Sequence, residues 1–236
     1  MRLDGRKENA LREIRITTGF MPNAEGSCLI EWGRTRVLVT ATVQNTVPPF
    51  LLQSGKGWLT AEYAMLPGST LTRKPRERQR ADSRSIEIQR LIGRSLRSVL
   101  DLHALDGLTI TIDADVIQAD GGTRTASITG GFVALSLCVK KLLAEGRITQ
   151  NPILHKLAAV SAGLVADTPL LDLCYQEDSQ AQADMNYVGT EAGGISEIQI
   201  AGEQRPLAPE EFQALLTLCQ DGVAALIRIQ DQAING

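Results

Sequence analysis

A short run near the middle of the chain has the composition of an anion-binding turn. Gly121 and Gly122 are followed by Thr123, Arg124 and Thr125. Glycines let the backbone approach an anion closely, and arginine presents a planar, permanently charged group that matches phosphate oxygens. This spacing therefore indicates phosphate binding. The alternative interpretation is a tight turn in which a Thr or Ser caps a helix.

The segments on either side would place this turn at the start of a helix. Residues 108–117 alternate apolar and polar side chains and are rich in β-branched types, which predicts a strand. Residues 126–143 carry apolar side chains at helical spacing. Free N–H groups and the dipole at a helix N-terminus favour negative charge. The turn is not a Walker loop, because no Gly-Lys-Ser/Thr follows it.

Arginine is concentrated in residues 73–97. Nine basic and three acidic residues give this stretch +6, so the rest of the chain carries −9 within a total of −3. Up to Arg80 it lacks apolar periodicity and is predicted to be a mobile loop, whereas from Ser85 the spacing is helical. A solvated basic face would explain part of this charge, and we assign Arg97 to it. Eight arginines in 25 residues nevertheless indicate a phosphate backbone as partner.

An acidic run at residues 176–184 holds the remaining candidate chemistry. Its spacing is compatible with a solvated loop, and also with a carboxylate pair that binds a cation. His103 and His155 are the two histidines of the chain and neither lies near a carboxylate cluster in sequence, so we expect no histidine metal site or catalytic triad.

Composition is that of an ordinary globular protein. Of the 236 residues, 43% are hydrophobic, 22% charged and 4% aromatic, so the core must be aliphatic. A linker at residues 147–152 suggests two portions, 1–150 and 151–236. The charged start predicts no signal peptide, and we expect no stretch to approach a transmembrane span. Four cysteines without a C-x-x-C motif indicate reduced core residues in a cytoplasmic protein.

The remaining periodicity predicts an α+β protein in mixed layers. A hairpin turn is predicted at Gly33-Arg34. The predicted strands are residues 27–32, 36–43, 58–66, 156–165, 169–174, 185–190 and 195–200, and a long amphipathic helix is predicted at 209–229.

Six motifs, in this order, resemble those of bacterial ribonuclease PH, the family of phosphate-dependent 3′-to-5′ exoribonucleases. They span almost the whole chain, and the two that contain GGTRT and EIQRLIGR are highly specific. The motifs are RLDGR at 2–6, AEGSCLIEWG at 24–33, LTAEYAMLPGST at 59–70, EIQRLIGRSLR at 87–97, QADGGTRTASITG at 118–130 and EDSQAQADMN at 177–186.

The resemblance implies a role for each group of candidate residues. Inorganic phosphate, the co-substrate, would be held by Arg84, Gly122, Thr123 and Arg124. Asp178 and Asp184 would bind Mg²⁺ or Mn²⁺ and act in catalysis with Arg124. The RNA contacts would be Arg73, Arg76 and Arg90.

The resemblance also implies fold, activity and partners. The fold would be the mixed α+β arrangement resembling domain 2 of ribosomal protein S5. The enzyme would trim the 3′ ends of tRNA precursors and other RNAs, release nucleoside diphosphates, and add nucleotides in reverse. It would form a homohexamer, a trimer of dimers, and would not bind membranes.

The chain departs from the family pattern at four places. Gly68 stands where many members have arginine, and Ser83-Arg84-Ser85 stands where Gly-Arg-Thr is usual. The link from Arg76 to Arg84 is shorter than in many members. Ile200-Ala201 replaces a common Gly-Thr pair. These departures put an RNA contact and the packing near the site in doubt, but they remove no proposed phosphate or metal residue.

The residues agree with phosphorolysis, because free phosphate is itself a nucleophile and no Ser, Cys or His nucleophile is required. Two alternative functions fit parts of the sequence. A non-catalytic RNA-binding subunit of an exosome-like ring would lack the phosphate arginine or the aspartates, and all are present here. A small-molecule phosphotransferase would need a nucleotide-binding glycine motif, which the sequence lacks.

Overall fold

Two β-sheets enclose a long apolar helix. The computed structural model describes residue 2, residues 4–76 and residues 82–236. The elements of the first half are β1 (Ile14–Thr18), β2 (Gly26–Trp32), β3 (Thr35–Gln44), β4 (Trp58–Met65), α1 (Ser83–Arg97), β5 (Thr109–Gln118) and α2 (Thr123–Ala144). Those of the second half are β6 (Leu157–Val165), β7 (Thr168–Leu171), α3 (Tyr175–Asp178), β8 (Ala183–Thr190), β9 (Ile195–Gly202) and α4 (Pro209–Asn235).

The first sheet has the strand order β1-β2-β3-β5-β4. The pairing is antiparallel except between β4 and β5, which are parallel. Alternate residues of β4, including Leu59, Ala61 and Tyr63, are buried, as expected for a strand with one face on the core. Helix α1 packs on β4. Because β4 and β5 are parallel, their C-terminal ends lie at one edge of the sheet, where the chain turns into α2.

The second sheet has the strand order β7-β6-β8-β9, and all its pairs are antiparallel. Helix α4 packs on β6, β7 and β8. Central strand β6 is buried along nearly its full length, because α2 and α4 both pack on it. Short helix α3 follows β7 and leads into β8, so its position depends on the ends of these two strands.

Helix α2 is the common core of the two sheets. It packs on β2 and β3 of the first sheet and on β6 of the second, and one cluster of buried residues includes members from both halves. By length and composition, α2 and α4 could each cross a membrane. The expectation that no stretch approaches such a span was therefore wrong. In α2, 78% of the apolar stretch is buried inside the protein, so its apolar residues form part of the core.

The predicted α+β class and the hairpin at Gly33-Arg34 are confirmed. The predicted strands are confirmed as well, except that the one predicted at 169–174 ends at Leu171, because Asp172 has a positive φ and Cys174 is the N-cap of α3. Strand β1 was missed because it lies in the charged first segment, where Arg15 interrupts a run of only five residues. The predicted mobile loop at residues 73–80 lies partly outside the described residues. Cys28, Cys138 and Cys219 are buried as predicted, whereas Cys174 is only half-buried.

Candidate active site

The glycine turn between β5 and α2 has a backbone that only glycine adopts easily. Gly121 and Gly122 have φ values of +79° and +67°. A Cβ on Gly121 would lie 2.7 Å from the Leu173 carbonyl oxygen, so the turn packs directly on the chain that enters α3. Gly122 is the N-cap of α2, and no side chain of the described residues caps that helix. Its first N–H groups are therefore free to bind an anion.

Two arginines flank this turn. The Nη1 group of Arg124 donates to Oε1 of Gln199, 2.9 Å away, and lies 3.3 Å from Oε1 of Glu87. These contacts hold a side chain that is 19% exposed. Arg84 is exposed in the first turn of α1, a helix that starts two residues earlier than predicted. The Oδ1 atom of Asp82 accepts from the Ser85 N–H at 2.6 Å and caps that helix. The Ser83-Arg84-Ser85 departure thus keeps its arginine at the site.

Two aspartates from the second half of the chain line the site with these arginines. Asp178 is the last residue of α3, and Asp184 is the second residue of β8. Burial raises the pKa of Asp178, although Arg84 and Arg124 act in the opposite direction. Burial also raises the pKa of Asp184, and the negative charges of Asp178 and Glu203 raise it further. The charged forms of the pair are therefore disfavoured mainly by burial, and a bound cation would favour them.

These groups line one pocket of about 870 Å³. It contains the predicted phosphate residues Arg84, Gly122, Thr123 and Arg124, together with the predicted acids Asp178 and Asp184. We call the first four residues with Gly121 the phosphate wall, and the two aspartates with Glu203 the acidic wall. The predicted RNA contacts Arg73, Arg76 and Arg90 are exposed and do not line the pocket, although their neighbour Lys74 does.

A buried ion-pair network joins the two walls. The Arg12 guanidinium donates to Oδ1 of Asp172 at 2.7 Å through Nη2, and to the carbonyl oxygen of Asp120 at 2.6 Å through Nη1. Asp172 also accepts from Nε1 of Trp32 at 2.8 Å. Arg12 thus ties the glycine turn to the segment that precedes α3. The Arg12 and Asp172 side chains are almost fully buried, so each depends on the opposite charge of the other in place of water.

The N-terminal segment holds α3 in a similar way. The Arg2 guanidinium donates to both carboxylate oxygens of Glu177, at 2.8 and 2.7 Å, and to the Leu171 carbonyl oxygen at 2.7 Å. Glu177 directly precedes Asp178, so this buried pair fixes the helix that carries the acid. Sequence reasoning missed these supports. The signal available was the RLDGR motif, which is polar in sequence but has its first arginine buried in the structure.

Family models match most of the chain. The first domain of the RNase PH type 3′ exoribonuclease family matches residues 10–141, and the second domain matches residues 156–222. The chain belongs to the 3′ exoribonuclease family. Ribonuclease PH of Solibacter usitatus (strain Ellin6076) is 50% identical over 238 residues, which cover 100% of both proteins. The predicted family is thereby confirmed, and with it the class of phosphorolytic 3′-to-5′ exoribonucleases and nucleotidyltransferases.

Solved structures with this fold include exosome proteins. Rice (Oryza sativa) Rrp46 has a TM-score of 0.81 at 18% identity, covering 99% of this chain and 100% of the rice chain. A chain of the Archaeoglobus fulgidus exosome with RNA bound to the active site has a TM-score of 0.82 at 22% identity, covering 96% of this chain and 91% of the exosome chain. At these identities the likeness shows the shared fold.

Within this family fold, the donor set of the acidic wall fits Mg²⁺ or Mn²⁺. Among the described residues, no group of three or more His, Cys, Asp or Glu side chains is arranged to hold a metal ion. Mg²⁺ is, however, usually held by one or two carboxylates, with waters and substrate phosphate as its other ligands. Two oxygen-donor aspartates with raised pKa values are compatible with that arrangement.

Proposed function

We propose that this chain is a phosphate-dependent 3′-to-5′ exoribonuclease that shortens RNAs with single-stranded 3′ ends, tRNA precursors among them. The pocket between the phosphate wall and the acidic wall is the proposed active site. One observation carries this proposal. Six residues predicted for phosphate and metal, from sequence positions 84 to 184, line one pocket. The presence of two arginines, a helix N-terminus and a carboxylate pair around one cavity supports this assignment.

The residues of the phosphate wall would bind and orient the nucleophile. The N–H groups at the start of α2 and the guanidinium groups of Arg84 and Arg124 match the oxygens of inorganic phosphate. Held there, a phosphate oxygen forms a bond to the phosphorus of the last nucleotide, and the bond from that phosphorus to the preceding 3′ oxygen breaks. The 3′ oxygen takes up one proton, which balances the proton that the attacking hydrogen phosphate loses. The products are a nucleoside diphosphate and an RNA shorter by one residue, and the reverse reaction extends RNA.

Asp178 and Asp184 are the proposed ligands of Mg²⁺ or Mn²⁺. A divalent ion at this position would neutralise charge on the scissile phosphate. Gln199 and Glu87 would keep the Arg124 side chain extended toward the substrate, because both contact its Nη1 group.

RNA binding outside the pocket is assigned to Arg73, Arg76 and Arg90. All three are exposed. Lys74, which lies between the first two in sequence, lines the pocket. Replacing Arg73 and Arg76 by alanine should weaken binding of RNA with a 3′ tail and reduce the salt dependence of its affinity, because fewer counterions are released. Fluorescence anisotropy between low and moderate salt measures both. An unchanged affinity and slope would assign this segment another role.

We also propose a homohexamer, a trimer of dimers, in the cytoplasm, and a division of each subunit near residue 150. The family domains match on either side of that position, at 10–141 and 156–222, which supports the division. Light scattering of the purified protein tests the hexamer through its mass.

The deciding experiment identifies the mononucleotide product. Purified protein is incubated with a 3′-extended tRNA, Mg²⁺ and phosphate, and parallel reactions omit phosphate or add chelator. We expect nucleoside diphosphates, formed only when phosphate is present. Nucleoside monophosphates formed equally well without phosphate would mean that water is the nucleophile, and the proposal would be wrong.

A further inference from the structure

A buried tyrosine lies directly behind the phosphate wall. The Tyr63 hydroxyl is 2.9 Å from Oγ1 of Thr123, and the two residues are 3% and 7% exposed. Thr123 lines the pocket and is the first residue of α2, whereas Tyr63 is not part of the lining. The tyrosine therefore contacts the site through one threonine hydroxyl.

Tyr63 reaches this position because of the strand that carries it. It occupies an inward-facing position near the C-terminal end of β4, paired with Ala114 of parallel strand β5. Strand β5 continues into the glycine turn, so the end of β4 lies beneath the first residues of α2. The ring is fixed by the packed core around it, which leaves the hydroxyl little freedom to seek another partner.

The number of protons on the two hydroxyls makes their orientation matter. Each hydroxyl has one proton to donate. If Thr123 donates to Tyr63, the threonine oxygen turns its lone pairs toward the pocket, where they would repel an anion. If Tyr63 donates to Thr123, the threonine proton is free to face the pocket. Burial raises the pKa of the Tyr63 phenol, although its bond to Thr123 and the charges of Arg84 and Arg124 lower it, so the phenol keeps its proton at neutral pH.

We propose that Tyr63 is a positioning residue: by donating its hydroxyl proton to Thr123, it orients the Thr123 hydroxyl as a donor to inorganic phosphate. The inference rests on the proposed function, because it requires phosphate at Thr123. It adds a residue outside the pocket that sets phosphate affinity without touching the substrate.

Steady-state phosphorolysis at varied phosphate tests this role in four proteins: wild type, Tyr63→Phe, Thr123→Val and the double variant. Phenylalanine keeps the ring and its packing, so the fold is retained and thermal unfolding checks it. Loss of one oriented hydrogen bond should raise KM for phosphate about threefold to tenfold, with kcat and KM for RNA little changed. In the Thr123→Val background, Tyr63→Phe should have no further effect, because the two residues act in series.

Tyr187→Phe is the matched control. Tyr187 is also buried but lies on β8, on the opposite face from Asp184. The Tyr187→Phe variant should leave KM for phosphate unchanged. A second measurement is the rise in the thermal unfolding midpoint on adding phosphate, which should be smaller in Tyr63→Phe than in Tyr187→Phe.

The outcomes separate the inference from the proposed function. If Thr123→Val raises KM for phosphate and Tyr63→Phe does not, the inference is overturned while the phosphate site stands. Independent effects that multiply in the double variant also overturn it, because Tyr63 would then act by another route. If Thr123→Val itself leaves phosphate affinity unchanged, the assignment of Thr123 fails, and the inference fails with it.

Discussion

The two walls of the pocket are built by different means. The phosphate wall depends on backbone, because a strand end, two glycines with positive φ and a helix N-terminus create it inside the layered core. The acidic wall depends on side chains, because a helix of four residues is held by ion pairs to the N-terminal segment. The first wall offers positive potential without assistance. The second carries carboxylates whose charged form is disfavoured by burial and would be favoured by a bound cation.

This difference indicates how each wall should respond to mutation. Single side-chain changes should leave the backbone of the phosphate wall in place and remove only the contact that the changed side chain would make with phosphate. The acidic wall should lose position as well as charge when its supports are changed. The predictions below test that contrast, from the largest expected effect to the smallest.

Arg124→Ala should abolish phosphorolysis while RNA binding persists. The planar guanidinium group contributes charge and paired donors that the helix N-terminus lacks. We expect a loss of at least about 10²–10³-fold in kcat/KM for phosphate, the effect of removing a well-placed donor. Arg124→Lys should restore little, because a lysine is a point charge. Rates of nucleoside diphosphate release and RNA anisotropy measure the two properties.

The control for that change is Arg94→Ala. Arg94 is an exposed arginine of α1 that pairs with Glu197 on the surface. It should behave like wild type. Wild-type activity of Arg124→Ala at low phosphate would remove Arg124 from the site.

Asp178→Asn and Asp184→Asn should each reduce kcat by about 10²-fold or more without weakening the fold. The pKa of each carboxyl is raised in the folded protein, so the charged form opposes folding and its removal costs no stability. Chelator should inactivate the wild type, and Mg²⁺ or Mn²⁺ should restore it. Asp221→Asn, at an exposed position of α4, is the control. Full activity in either site variant would contradict the metal assignment.

Asp172→Asn should affect both walls at once. It leaves Arg12 buried without its counter-charge, which typically costs about 3–5 kcal/mol in the free energy of unfolding. We expect the free energy of unfolding, measured with denaturant, to fall by a matching amount. KM for phosphate should rise, because Arg12 also anchors the Asp120 carbonyl. Unchanged stability would mean that the two walls do not depend on this pair.

The smallest effect is expected at Glu211, beyond the acidic wall. Its carboxylate accepts from Arg205, and from the Ala208 N–H at the start of α4, so it fixes the loop that brings Glu203 to the pocket. The hydrogen bond from Arg205 is the main reason that the pKa of Glu211 falls from its ordinary 4.5 to about 2. A lowered pKa stabilises the fold above pH 4.5, and that contribution disappears as the pH falls toward 2.

Glu211→Gln should therefore lower the thermal midpoint slightly at pH 7, and the difference from wild type should shrink below pH 4.5. Glu210→Gln changes the same charge in the same helical turn and is the control. The pair is on the surface, so added salt should also reduce the effect. An equal deficit at pH 7 and pH 3 would show that charge is not the cause.

Much of the first half was predictable because its signals are local. Strand alternation, the glycine turn and the apolar spacing of α2 are each contained in fewer than about 20 residues. They predicted a glycine turn at a helix N-terminus, which fits either an anion-binding site or a tight capped turn. The family motifs then added Arg84, Asp178 and Asp184, which local patterns alone left open between a solvated surface and a site.

Other residues could not be predicted because their roles depend on distant partners. Arg97 was assigned to a solvated face, but its guanidinium group lies 4.4 Å from the Trp58 ring centroid and donates to the Leu59 carbonyl oxygen, so it is a packing residue. Arg2 and Arg12 lie in a charged N-terminal segment that gives no local signal of burial. Their burial required acids located more than 150 positions away in sequence.

The sequence by itself determined the α+β class, the glycine turn at the start of α2 and the family, because these follow from short-range periodicity, glycine spacing and motif order. The tertiary structure decided what surrounds that chemistry. It placed α3 against the glycine turn, buried the Arg12–Asp172 pair between the walls, and set Tyr63 behind Thr123. These contacts join segments far apart in the chain, and their energies arise from burial, which a residue acquires only when the sheets and helices have packed around it.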